Sequence, residues 1–269
     1  MATRPATDAH ENEDFVAAIP NAVVLLDGAG LSGTDSGCNH GVAWFSRNLG
    51  STLIARLTAG DGGELPELLA GAIKTVADSH AHTCDLAHVG TPSATVIIAR
   101  IRNGQLEHLV LADSVLVVRQ RGGCEQVICD TREADAARPF RDAMTSVPHG
   151  TPMHEEARRV FMSKIRDFRN KPGGFWVAAA NPAAAYEALL GHHPIDQVQD
   201  FALLSDGASR MVDRFNLATW TDTLALLDDQ GPAALIAEVR AAERSDPEGT
   251  RWPRGKTYDD ATAAYCAIS

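Results

Sequence analysis

The sequence has no excess of basic residues, no apolar run near the length of a membrane span, no C-x-x-C cysteine pair and few aromatics. Each shortage excludes something. Lys and Arg number 24 against 35 Asp and Glu, a formal net charge of −11 over 269 residues. An acidic balance of this kind lacks the basic footprint of a nucleic-acid or anionic-membrane surface. A spanning helix needs roughly 18 or more apolar residues in a row, and the segment Met1 to Asp14 is polar, without the apolar stretch of a signal peptide. The five cysteines (Cys38, Cys84, Cys124, Cys129 and Cys266) are odd in number and scattered. They read as reduced thiols of a cytoplasmic protein, and without a C-x-x-C pair they argue against a structural zinc site. Aromatic residues make up 6%, and the four tryptophans (Trp44, Trp176, Trp220 and Trp252) read as packing residues. No repeat, low-complexity block or long linker divides the chain, so residues 1–269 are read as one domain.

What is present is ordinary globular material, 45% hydrophobic and 22% charged. Ala22 to Leu26 is an apolar run ending at Asp27-Gly28, as a buried strand does on reaching a turn. Val42, Phe45, Leu49, Leu53 and Leu57 recur at helical spacing, as do Leu65, Leu68, Leu69, Ile73 and Val76. The period then changes: Ala94 to Arg102, the Asn103-Gly104 turn and Gln105 to Ala112 predict a hairpin. Val115 to Arg119 and Gln126 to Cys129 predict another across Gly122-Gly123. Thr151 to Arg169 reads as a charged helix followed by the loop Asn170 to Gly174. Phe175 to Ala179 and Phe201 to Ser205 read as strands bracketing a helix that Pro182 opens. Thr219 to Leu227 and Pro232 to Ala242 are amphipathic helices, and Ala261 to Ile268 is a closing strand. Helices in pairs between antiparallel strands predict an α+β fold, sheets with helices on their outer faces.

Acidic residues sit where these strands begin or end: Glu13-Asp14, Asp27-Gly28, Asp206-Gly207 and Asp259-Asp260. Converging carboxylates repel one another unless something offsets their charge. Hard divalent cations such as Mg²⁺ or Mn²⁺ do so with oxygen ligands of this kind. Any single Asp-Gly is also an ordinary turn.

Six motifs follow one another in order: Glu11-Asn12-Glu13-Asp14, Leu25 to Gly30, Gly90 to Thr95, Leu111-Ala112-Asp113-Ser114, Leu204-Ser205-Asp206-Gly207 and Asp259-Asp260-Ala261-Thr262. Together they resemble the metal-dependent protein phosphatase family (type 2C), in a divergent bacterial-type version. The resemblance implies a four-layer α-β-β-α sandwich, two central antiparallel sheets flanked by helix pairs. It also implies a binuclear Mn²⁺/Mg²⁺ centre at one edge, with Asp27 bridging the ions and the Gly28 carbonyl binding one. Asp206 and Asp259 hold the opposite ion, Glu13 and Asp14 bind directly or through water, and Asp113 matches an acidic residue that helps hold a third ion in some bacterial relatives. On this resemblance Asp27, Asp206 and Asp259 are the catalytic set. Two cations turn a water into hydroxide that attacks phosphorus in line without a phospho-enzyme.

Three departures stand out. Ala9, with His10 beside it, occupies the place where many relatives carry a phosphate-binding arginine. Ala112-Asp113-Ser114-Val115 replaces the usual Gly-Asp-Ser-Arg, and Ala29 replaces the histidine proposed as general acid in eukaryotic relatives. His40 is read either as a substitute acid or as a helix cap. Arg47 and the group Arg158, Arg159, Lys164, Arg166, Arg169 and Lys171 are read either as phosphate contacts or as a solvated face. That group falls in residues 151–174, where the family has a mobile flap. Three functions remain open: a protein serine/threonine phosphatase, a phosphatase of a small phosphorylated metabolite, and a non-catalytic signalling module. The first is preferred. The substrate is then a phosphoprotein or small phosphorylated molecule, with neither nucleic acid nor membrane as partner; oligomeric state is left open.

Overall fold

The fold is taken from a computed structural model, which describes residues 1–30, 35–60, 63–147 and 151–269. Its first strands are β1 (Ala2–Arg4), β2 (Phe15–Ile19), β3 (Ala22–Leu26) and the two-residue β4 (Gly28–Ala29). Helices α1 (Val42–Ala59) and α2 (Leu65–His80) follow, at the predicted helical periods. Gly60, at φ +71°, ends α1, and a Glu64/Glu67 capping box starts α2. Next come β5 (Ser93–Ala94), β6 (Val96–Arg102), β7 (Gln105–Leu111), β8 (Val115–Gln120) and β9 (Glu125–Ile128). Asn103 and Gly104 both have positive φ, 52° and 74°, the two-residue hairpin turn their sequence requires. Helices α3 (Arg132–Thr145) and α4 (Pro152–Arg166) precede a 3₁₀ turn (Pro182–Glu187), β10 (Leu189–Pro194) and β11 (Val198–Leu204). The chain closes with α5 (Asp206–Asp213), α6 (Trp220–Gln230), α7 (Pro232–Ser245) and β12 (Ala261–Ala267).

The strands form two five-stranded antiparallel sheets, ordered β1-β12-β11-β8-β9 and β10-β7-β6-β3-β2, with β4 pairing β5 beside them. Alternation along each strand decides what lies between the layers. Val23, Leu25, Ile97 and Val110 of one sheet meet Leu116, Val118, Phe201 and Leu203 of the other in an inner core. Their neighbours Val24, Leu26, Ile98 and Leu109 point outward onto Phe45, Leu49, Leu69 and Ile73 of α1 and α2. On the far side Val115, Val117, Ala202 and Leu204 pack on Leu224, Leu227, Leu235 and Ile236 of α6 and α7. The result is the α-β-β-α sandwich expected from the sequence. Helices α3 and α4 form a satellite layer, packing Ala137 and Ile165 on Phe175, Val177 and Ala112.

The structure differs from the sequence reading at five places. Phe175 to Ala179 is not a strand: it is buried but held by single bridges, Ala94 to Ala178 and Arg169 to Phe175. The predicted first strand, Ala22 to Leu26, is preceded by β1 and β2, so Glu13-Asp14 leads into β2. Helix α3 was hidden by its charges and the internal Pro139, and α5 begins on the Asp-Gly pair that reads as a turn. Strand β10, with a glycine, two histidines and a terminal proline, has little strand propensity but pairs with β7 at the sheet edge. No helix among the described residues is long and apolar enough to cross a membrane.

Candidate active site

The ends of β3, β7, β11 and β12 meet at one edge of the sandwich, and the backbone there is pinned by short polar contacts. Thr95 clamps Asp27 on both sides: its N–H donates to the Asp27 carbonyl (2.9 Å) and its Oγ1 accepts from the Asp27 N–H (3.2 Å). Thr95 Oγ1 also shares a 2.6 Å hydrogen bond with Ser114 Oγ, tying the third motif to the fourth. Ser205 is joined to Thr262 in the same way, through Ser205 N–H to the Thr262 carbonyl (2.9 Å) and Thr262 N–H to Ser205 Oγ (2.9 Å). Those two ladders bring Asp27 to Asp206, whose N–H donates to Asp27 Oδ2 at 3.1 Å.

Glycine is needed at two of these places for close approach. A Cβ on Gly207 would overlap the Asp260 carbonyl, so the Asp206-Gly207 pair lets α5 press against the start of β12. A Cβ on Gly28 would overlap the Glu13 carbonyl. At the fourth motif Ala112 takes φ +70°, the left-handed conformation that a glycine adopts freely, so the bend that aims Asp113 survives the substitution. Asp260 was not a candidate ligand, and its role is visible here: its two oxygens accept the Ala6 and Glu13 N–H groups, each at 2.7 Å, fastening the N-terminal segment to β12.

The candidate carboxylates therefore gather, and their electrostatics show it. Asp14 is 6% exposed, and the Thr262 side chain hydrogen-bonds its carboxyl. Burial, then the charges of Asp260, Asp206 and Asp259, push its carboxyl up to about 7. Burial, then Asp14, Asp206, Asp259 and Asp113, hold the Asp27 carboxyl well above the usual carboxylate range. Burial and Asp259 raise Asp206, and burial followed by Asp206 lifts Asp113 to about 7. Glu13 is raised chiefly by burial. Among the described residues no three of these carboxylates bring oxygens within 4.8 Å of one another, so the cluster is an open ring.

Two features escaped sequence reasoning. Glu133, in the first turn of α3, is pushed up to about 8 by burial and then by Asp113 and Asp206, so it belongs to the same electrostatic group. No motif marks it, and the helix carrying it was unforeseen. Asp259 is held by cations: Arg210 Nη2 donates to its Oδ2 at 3.0 Å and Lys256 Nζ to its Oδ1 at 2.6 Å. Arg210 is locked in turn against the buried Glu243 at 2.5 Å.

The basic candidates separate. Arg169 is turned inward, donating to the Thr91 carbonyl (3.0 Å), Thr91 Oγ1 (2.8 Å) and Ser93 Oγ (3.3 Å), and so braces the loop before β5. Arg159 pairs with Glu156 in the open, and Arg47 pairs with Glu11 at 2.8 Å. His10 lies with Nδ1 3.8 Å from Asp260 Oδ1. His40 does not cap α1, whose N-cap is Gly41 without a side-chain cap; it stacks on Trp44 instead.

The donor set fits hard divalent ions. A buried carboxylate among four others of raised pKa supplies oxygen ligands and surplus negative charge, the two things such ions require.

Comparison with known proteins identifies the fold and the family. No curated protein matches the sequence. Solved structures match over the whole chain: serine/threonine phosphatase Stp1 from Staphylococcus aureus at 16% identity and TM-score 0.61, covering 100% of this chain and 93% of that one. Serine/threonine phosphatase PstP/Ppp from Mycobacterium tuberculosis matches at 16% identity and TM-score 0.58, covering 100% and 97%. The catalytic domain of PstP in complex with two manganese ions matches at 18% identity and TM-score 0.57, covering 100% and 96%. These likenesses establish the fold. A family model, protein phosphatase 2C, matches residues 4–240, and the chain belongs to that family of hydrolases.

Proposed function

We propose that the protein is a Mn²⁺/Mg²⁺-dependent phosphatase that hydrolyses phosphoserine and phosphothreonine in proteins at a binuclear centre. The observation that carries the reading is Asp14, a buried carboxylate set among the like charges of Asp27, Asp206 and Asp259. Asp27 would be shared between two ions, with the Gly28 carbonyl and Asp206, Asp259, Glu13 and Asp14 completing their ligands; Asp113, with Glu133 beside it, would serve a third. Bound there, such ions supply Lewis acidity that acidifies a water and neutralises charge on phosphoryl oxygens.

The chain's own residues do the positioning. Thr95 fixes Asp27, the Ser205–Thr262 ladder fixes Asp206, and Asp260 holds the backbone of Glu13. Arg210 orients Asp259, while Lys256, on the exposed side, competes with a cation for the same carboxylate. The manganese of the PstP complex supports the choice of metal. A non-catalytic module would show eroded ligands, whereas all six acidic positions are retained.

The test is hydrolysis of p-nitrophenyl phosphate with added Mn²⁺. Wild-type protein turns over, and Asp27→Asn and Asp206→Asn lose at least about a hundredfold, more than the 10- to 100-fold typical when only a residue supporting a ligand is changed. Unchanged rates in both variants would remove the reading. A small phosphorylated metabolite is the second reading, favoured by Ala9 where relatives carry a phosphate-binding arginine. Parallel phosphopeptide and phosphometabolite panels separate the two.

A further inference from the structure

Away from the carboxylates, two loops meet at the open ends of the helix pair α1/α2. Residues 35–40 lead into α1 and residues 81–92 lead out of α2 towards β5. They are packed tightly: the Asp85 N–H donates to the Gly37 carbonyl (2.7 Å), and Asn39 Nδ2 donates to the Thr83 carbonyl (2.8 Å). Gly37 has φ +67° and lies against His88, where a side chain would not fit.

At this junction sit Cys38, His80 and Cys84, whose ligand atoms all lie within 4.8 Å of one another, the one such group among the described residues. His40 joins them, its Nδ1 3.5 Å from Cys84 Sγ and 3.7 Å from Cys38 Sγ. Those lengths also suit ligands around one ion. With Zn–S near 2.3 Å and Zn–N near 2.0–2.1 Å, a tetrahedral zinc site has sulfur–nitrogen edges of about 3.6 Å. The outer contacts also suit a ligand set. His80 is 5% exposed and its Nδ1 lies 2.6 Å from the Val76 carbonyl, so that nitrogen carries the proton and Nε2 keeps the lone pair. Each sulfur accepts a backbone N–H, Asn39 to Cys84 at 3.3 Å and His40 to Cys38 at 3.4 Å. Trp44 walls the site, stacked on His40 (4.0 Å) and edge-on to His80 (5.0 Å).

We propose that Cys38, His40, His80 and Cys84 hold one structural zinc ion that staples the loop before α1 to the loop after α2. Thiolate and imidazole select zinc, while the carboxylate centre selects Mn²⁺ or Mg²⁺, so the two sites sort their metals by ligand softness. Binding releases the protons of Cys38 and Cys84. All four protein ligands are used and no open position remains, which makes the site structural. The staple has a consequence for the carboxylate edge. It anchors residues 35–40 and the segment that precedes Ser93–Ala94, a short strand paired with Gly28–Ala29 next to Asp27. The expectation from the absence of a C-x-x-C pair misses this site because its ligands are spaced as Cys-x-His before α1 and His-x₃-Cys at the end of α2.

The experiment is elemental analysis of the full chain, expressed with zinc supplied and purified without chelator. One zinc per chain is expected, kept in Asp27→Asn and lost in Cys38→Ser and Cys84→Ser. Because those cysteine variants can fail to fold, the wild-type protein is also alkylated and mapped by mass before and after chelation. Cys38 and Cys84 should gain reactivity together as zinc leaves, with Cys124, which is exposed, reactive throughout. Absence of zinc in the wild-type protein, a Cys38–Cys84 disulfide, or zinc retained in both cysteine variants would each overturn the proposal.

Discussion

Asp14 and His108 illustrate two ways of burying a titratable group. Asp14 sits among like charges and suits a cation. His108, on β7, lies beneath the backbone of Gly191 and is stacked on His193 at 5.4 Å. Burial, then His193 and His192, lower His108 to about 4. The folded protein therefore keeps it neutral while the unfolded chain protonates it near 6.5, so stability falls as pH drops from about 6.5 to 4. His108→Gln should flatten that acid limb by up to about 2–3 kcal/mol, read from urea unfolding at pH 4.5 and 7. An unchanged limb would place the acid sensitivity elsewhere. Thr95→Val, which removes a hydroxyl holding the Asp27 N–H, should weaken Mn²⁺ binding about 10- to 100-fold by calorimetry. At this scale the sequence marks six acidic positions, because each lies in a short motif at a strand end. It was silent on Glu133, and on the meeting of His40 and His80 with two cysteines, because those contacts join segments whose approach only the fold determines.

Helix α5 shows what an element contributes. It starts on Asp206, and its second residue, Gly207, touches the carbonyl of Asp260. Gly207→Ala forces that helix off β12 and should cost about 1–3 kcal/mol, the range for an overpacked contact. Separation of Asp206 from Asp259 should lower Mn²⁺-dependent turnover at the same time; full activity with unaltered stability would contradict the close approach. The elements easiest to read were those with strong periodicity: α1, α2, α6 and α7 at 3.6 residues, and the β6–β7 and β8–β9 hairpins at two. Harder ones fail for local reasons. Phe175 to Ala179 is apolar because it is covered by α3 and α4, not because it pairs along a sheet.

For the whole molecule, the carboxylate edge links metal, pH and stability. Asp14, Asp113 and Glu133 are raised to about 7, 7 and 8. Such groups favour the folded state fully below their unfolded values near 4, and that contribution is lost as pH rises through 7 to 8. Chelator-treated protein should accordingly melt roughly 5 °C or more lower at pH 8.5 than at pH 5.5. Mn²⁺ should restore the melting temperature at pH 8.5, by about 2.7 kcal/mol of stability at a hundredfold excess over Kd, and do little at pH 5.5. Equal melting temperatures at both pH values, indifferent to Mn²⁺, would disagree with a strained acidic ring.

The most direct measurement is anomalous diffraction at the manganese edge from Mn²⁺-soaked crystals. Two peaks are expected, sharing Asp27 and reached by Asp14, Asp206 and Asp259. Well-ordered side chains at those four positions with no anomalous density among them would contradict the central claim.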